Sequence, residues 1–195
     1  MRFEVYVEEP SMKEALEGVL PRILGADHEH RVHAFRGKAE LLREIPRRLR
    51  AYASWLPPDW RVVILVDADR DDCRLLKARL LCAAREAGLE DRVLCRIVVE
   101  ELEAWYFGDI EALRTAYPRL PASLGAKATF RNPDAIAGGT WEALDRELKR
   151  AGYREGLAKF AAAQAIAPHL DPERNRSRSF QVFRDGVRRM AGSQP

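Results

Sequence analysis

Hydrophobic positions along this chain follow two alternating periods. Compact apolar stretches at residues 3–7, 31–35, 61–66 and 92–99 predict strands, and the third, Val62-Val63-Ile64-Leu65-Val66, is apolar throughout, as a strand buried on both faces must be. Between these stretches the apolar positions return every three or four residues. Met12, Ala15, Leu16, Val19 and Leu20 form one such stripe behind Ser11 and Glu14, which have capping-box spacing, and Pro21 is expected to end or kink that helix. A second helix is predicted over residues 38–55, strained by Pro46 and followed by the break at Pro57-Pro58. A third is predicted over residues 72–87, with Leu75, Leu76, Leu80 and Ala83 facing inward and Gly88 as its stop. Strands alternating with helices predict an α/β fold, a parallel sheet covered on both faces.

After Val99 the pattern changes. A helix is predicted over residues 101–117, a largely irregular stretch rich in Pro, Gly and Asn over 118–139, and further helices over 141–151, 156–166 and 178–190. The expected organisation is an α/β core at residues 1–110 and a mostly helical extension at 111–195 that packs on the core or on a partner. The chain's 195 residues suffice for one well-buried core, and 47% hydrophobic with 32% charged residues argues against disorder. A net charge of +3 names no partner, although residues 174–190 hold six arginines against one acid, Asp185. Cys73, Cys82 and Cys95 are odd in number and lack metal-site spacing, so a reducing cytoplasm is expected, with neither disulfides nor zinc. No leader and no spanning apolar segment is visible, so no membrane association is expected.

The candidate chemistry lies where apolar runs stop on acids. The first strand runs into Glu8-Glu9, and the third into Asp67-Ala68-Asp69-Arg70-Asp71-Asp72. In an open parallel sheet Glu8, Asp67 and Asp69 can therefore converge at the carboxyl edge, where such folds keep their sites. Unneutralised they would repel one another, and hard oxygen donors grouped this way suit Mg²⁺ or Mn²⁺. The competing reading has strand-end acids capping the following helices, which suits Asp71 and Asp72 best. Glu100, Glu101 and Glu103 follow the fourth strand; one of them could complete a two-metal site, or all could favour the positive end of a helix dipole.

Val7-Glu8-Glu9-Pro10-Ser11 resembles the first motif of Toprim domains, a strand ending in glutamate, here with Glu9 at the usual glycine position; Asp67-Ala68-Asp69 resembles their Asp-x-Asp motif. With the continuation to Cys73 and the segment Glu101-Leu102-Glu103-Ala104-Trp105, the chain resembles the Toprim-like family DUF4276 over most of its length. The resemblance implies a Rossmann-like Toprim sheet flanked by helices, with a helical C-terminal extension. It implies Mg²⁺ or Mn²⁺ on Asp67 and Asp69, Glu8 as ligand or general base, and assistance from Glu101 or Glu103, the latter as a further metal ligand. No topoisomerase tyrosine domain or primase zinc module is recognisable, so the implied activity is that of a stand-alone metal-dependent nuclease. Proteins of this kind are often encoded beside ABC-like or AAA ATPases and related effectors act in phage defence, which implies an ATPase partner; the chain has no P-loop of its own. The alternatives are a non-catalytic regulatory or nucleic-acid-binding subunit of an ATPase complex, and a nucleotidyl or phosphoryl transferase using the same acids.

A nucleic-acid partner requires cations near the acids. The candidates are Arg70, Lys127, Arg131, Lys159, Arg174, Arg176 and Arg178, with the run from Arg174 to Ser179 foremost, although its serines could equally cap the last helix. Trp105, Tyr106 and Phe107 cannot share one helical face, so at least one is expected in the core while another could be exposed, and core packing is the default for each. His28, His30 and His33 fit no zinc pattern, and strand alternation sets His33 opposite the other two.

Overall fold

The structure, a computed structural model, describes residues 1–69 and 71–192. Seven elements build the core: β1 (Arg2–Val7), α1 (Pro10–Leu24), β2 (Glu29–Ala34), α2 (Lys38–Tyr52), β3 (Trp60–Asp67), α3 (Cys73–Glu86) and β4 (Val93–Val98). The four strands are all parallel, in the order β2-β1-β3-β4, a Rossmann-like arrangement. Alternation along the strands sends Phe3, Val5, Val7, Val63 and Leu65 to the face covered by α1, and Tyr6, Val62, Ile64 and Val66 to the face covered by α2 and α3. The chain thus steps outward from β1 in one direction and from β3 in the other. Helices leave these neighbouring strands towards opposite faces, which opens a crevice at their carboxyl ends.

Local rules give way where burial outweighs them. Helix α1 begins at Pro10, with Glu9 in the cap position, so Ser11 lies inside the first turn and its hydroxyl donates to Glu9 Oε1 at 2.6 Å rather than capping the backbone. Pro21 does not end the helix: it sits on the exposed side while Leu20, Ile23 and Leu24 pack beneath, and Gly25, at φ 75°, closes the last turn. Pro46 is likewise carried within α2 by buried Leu41, Ile45 and Leu49. In α3 the inward stripe is Leu76, Leu80, Ala83 and Ala84, whereas Leu75 is 71% exposed.

The helix expected over residues 101–117 is two helices, α4 (Glu103–Gly108) and α5 (Ile110–Ala116), separated at Asp109. Asp109 caps α5 through Ala112 N and receives Arg174 on both oxygens, at 2.8 and 3.1 Å, and Asp171 N at 2.8 Å. Short 3₁₀ turns follow, then α6 (Thr140–Arg150), α7 (Lys159–Ile166) and α8 (Arg178–Met190). Helices α7 and α8 pack over α1 and β4, and α6 packs on α4, so one hydrophobic core joins the extension to the sheet. Gly18 makes part of that approach possible, because a Cβ there would lie 2.6 Å from Ala167 Cβ. Enclosure by the extension also buries all of α4. Trp105 packs against Phe180 and Phe183, Phe107 stacks on Phe130, and Tyr106 is fully buried, so core packing holds for all three and none is exposed. Among the described residues no helix is long and apolar enough to cross a membrane.

Candidate metal centre

Register fixes the origin of the site. Val7 of β1 pairs with Leu65 of β3, so Glu8 leaves the sheet next to the end of β3, where Asp67 in turn pairs with Val98 of β4. Glu103, in the first turn of α4, covers the same edge from the α1 face. Glu8, Asp67 and Glu103 are 7%, 1% and 1% exposed, and each keeps one buried oxygen without a hydrogen-bond partner. Tyr106, one turn beyond Glu103, has a buried unpartnered hydroxyl as well. Buried polar atoms are nearly always satisfied, and leaving several unsatisfied together is costly. Their concentration in one crevice suits a polar or cationic ligand.

The electrostatics agree with this geometry. Burial, then the charge of Asp69, pushes the Glu8 carboxyl up to about 7 against the opposing pull of Lys38. Burial likewise raises Glu103 to about 7, while Lys159 restrains the rise. Asp67 stands well above its ordinary range through burial and the neighbouring charges of Glu8 and Glu103. A divalent cation would offset these penalties, and the donors are the hard oxygens that Mg²⁺ and Mn²⁺ prefer. Among the described residues no three His, Cys, Asp or Glu side chains already close on one metal position. Asp69 is instead held by Lys38, whose Nζ lies 2.6 Å from it, 2.9 Å from Asp71 Oδ2 and 3.2 Å from the Ala68 carbonyl.

The loops around the acids are strained. Asp69 and Glu100 have φ of 49° and 63°, and Asp69 N donates to the Glu100 carbonyl at 3.0 Å, tying the β3 and β4 exits together. A cleft of about 710 Å³ opens beside them, lined by Lys38, Asp69, Asp71, Glu101 and Glu142. Glu101 serves a different helix from the one it precedes: its Oε2 accepts from Trp141 N at 2.9 Å and Thr140 Oγ1 at 3.2 Å at the start of α6. Asp72 caps α3 by accepting from Arg74 N and Leu75 N. Asp71 pairs with Lys38.

Lys38 went unnoticed in the sequence, although a lysine opening a helix at the carboxyl edge opposes the helix dipole and so signals nearby anions. Lys159 enters the site as well. Burial works against its charge, but Glu103, Glu9, Glu101 and Asp67 outweigh it and raise its pKa. Two of the expected phosphate-binding cations are engaged elsewhere. Lys127 pairs with Glu147 at 2.6 Å, and Arg174 holds Asp109 in company with Arg22 near the far end of α1. Arg176 N donates to the Gly108 carbonyl and Arg178 N to Asp134, fixing the turn into α8. The side chains of Arg131, Arg176 and Arg178 are exposed, and Arg70 lies outside the described residues. His30 and His33 reach different acids, Glu17 at 3.2 Å and Glu4 at 2.6 Å.

Comparison with curated proteins and with solved structures finds no match. A family model does match, over residues 7–188, which includes every acid of the crevice; the chain belongs to the family described as "Domain of unknown function (DUF4276)".

Proposed function

We propose that this protein is a Toprim-type nuclease that cleaves phosphodiester bonds with Mg²⁺ or Mn²⁺ at the β1–β3 crevice. One observation carries the reading: three elements far apart in sequence each deliver to one crevice a buried carboxylate with an unpartnered oxygen. Asp67 and Glu103 would hold the cation through those oxygens, with Asp69 joining from the crevice mouth. When bound, the cation supplies neutralisation of a phosphoryl oxygen and a more acidic water. Glu8, with its carboxyl raised to about 7, is suited to take the proton of the attacking water at its free Oε2. Lys38 and Lys159 lessen the repulsion that the acids would otherwise present to a polyanionic substrate. The reading places the protein in the cytoplasm with its substrate, and Cys73, Cys82 and Cys95 are free thiols. An ABC-like or AAA ATPase is the proposed partner, in a phage-defence role.

Purified protein is assayed on plasmid, single-stranded DNA and tRNA with Mg²⁺, Mn²⁺ or EDTA, with and without a neighbouring ATPase. Metal-dependent cleavage that disappears in the Asp67→Ala, Asp69→Ala double variant is the expected outcome. Cleavage that persists in that variant, or survives EDTA, overturns the proposal.

A further inference from the structure

Beyond β1, away from the acid-lined cleft, the carboxyl edge borders a larger groove of about 940 Å³. It follows β2, the edge strand, and its walls carry Lys13 of α1, Arg31, Arg36, Arg48 of α2, and Phe160. Among the described residues none of these four cations is in an ion pair. The α2 acids on the same wall are already engaged: Glu44 accepts Arg43 at 2.9 Å and Arg47 at 3.6 Å, and Glu40 accepts Arg36 N at 2.7 Å. Glu14 is the remaining acid of the groove. Helix α2 as a whole presents Lys38, Arg43, Arg47, Arg48 and Arg50 against Glu40 and Glu44. Phe160 leaves 47% of its surface in water, so its ring is accessible from the groove.

On both walls a residue of the groove is next in sequence to one that touches the acids. Phe160 directly follows Lys159, whose Nζ lies 3.6 Å from Glu9, and Arg36 precedes Gly37, whose N–H donates to the Glu8 carbonyl at 2.7 Å. We propose that a single-stranded nucleic acid lies in this groove, its phosphates on Lys13, Arg31, Arg36 and Arg48 and one base stacked on Phe160, and that its backbone continues into the crevice at Glu8 and Asp67. This rests on the nuclease reading and adds to it the substrate class and the path of entry. The exposed ring selects the single strand, because a base must be unpaired to offer its face for stacking. A peptide added to the edge of β2 would bind chiefly through backbone groups and depend little on salt.

The test is equilibrium binding of fluorescent oligothymidylate and oligouridylate across a salt series, in the Asp67→Ala, Asp69→Ala background so that nothing is cut. Each phosphate contact on a single strand contributes a log–log salt slope of about 0.7, so Arg31→Gln with Arg36→Gln should flatten the slope by about 1.4 and weaken binding about 25-fold at about 0.1 M salt. Phe160→Ala should cost about tenfold on single strands and nothing on a duplex. Arg154→Gln, at an exposed position away from the groove, should bind as the background does. Matching melting temperatures confirm that the variants are folded. Failure of the background protein to bind single strands overturns the inference, as do groove variants with unchanged affinity and slope. Metal-dependent cleavage with groove variants indifferent in binding rejects the groove and leaves the nuclease reading. The converse, binding lost as expected but no metal-dependent cleavage by the wild-type chain, rejects that reading and leaves the groove.

Discussion

Substitution of Glu103 by glutamine tests the central physical claim, that the crevice confines carboxylates at a cost to the fold. Glu103 is 1% exposed, and its carboxyl is raised from 4.5 to about 7, chiefly by burial. Between these values the folded carboxyl keeps its proton while the unfolded one has lost it. The favourable contribution is therefore complete below about pH 4.5 and is lost as pH rises through about 7. At about 1.4 kcal/mol for each tenfold change in proton affinity, the loss amounts to about 3 kcal/mol. Glutamine does not titrate, so Glu103→Gln should lose about 3 kcal/mol less stability than wild type between about pH 4 and 8, whatever the amide itself costs at one pH. For a chain of this size that difference corresponds to about 9 °C in melting temperature. Asp67 adds to the effect, because the Glu103 charge helps to hold its pKa up. Urea unfolding in EDTA across this pH range measures the difference directly. Mn²⁺ at the alkaline end should then restore stability to wild type more than to the variant. Parallel stability–pH curves for the two proteins would refute the reasoning.

Two further outcomes follow from particular side chains. Leu76→Ala should destabilise the fold by about 2–4 kcal/mol, whereas the adjacent Leu75→Ala should change it by less than about 0.5 kcal/mol, since only Leu76 is buried; chemical denaturation distinguishes them. Lys38→Met removes the charge that pulls the Glu8 carboxyl down, so the acidic limb of the pH profile for metal-dependent cleavage should move to higher pH, with Lys38→Arg restoring it. An unmoved limb in Lys38→Met would exclude Lys38 from the electrostatics of the reaction.

Much of the α/β core was legible because its signals are local. Val62 to Val66 can be little other than a strand buried on both faces, and the alternation of strands with helices leaves a parallel sheet as the consistent arrangement. Local signals failed where a distant partner decided the outcome. Pro21 and Pro46 remain within helices because the opposite faces of those helices are buried. Asp109 divides α4 from α5 because Arg174 and Asp171, far along the chain, hold its carboxylate. The three consecutive aromatics of α4 are all buried because the extension closes over them, which no helical period can foretell.

The same division runs through the candidate site. Residue type and strand-end position alone singled out Glu8, Asp67 and Asp69, because a run of apolar residues ending on an acid specifies both a buried strand and the edge at which its carboxylate emerges. Glu103 was one of three glutamates, and Lys159 one of seven cations, that the sequence offered for that edge; only the tertiary structure chose them, brought Tyr106 and Lys38 beside them, assigned Glu101 to the start of α6, and set Arg174 beside Asp109. Periodicity is a property of neighbours in sequence, whereas charge, desolvation and satisfied hydrogen bonds depend on neighbours in space. The sequence therefore determined which acids the sheet would present, and packing decided which of them would be buried together and which cations would face them.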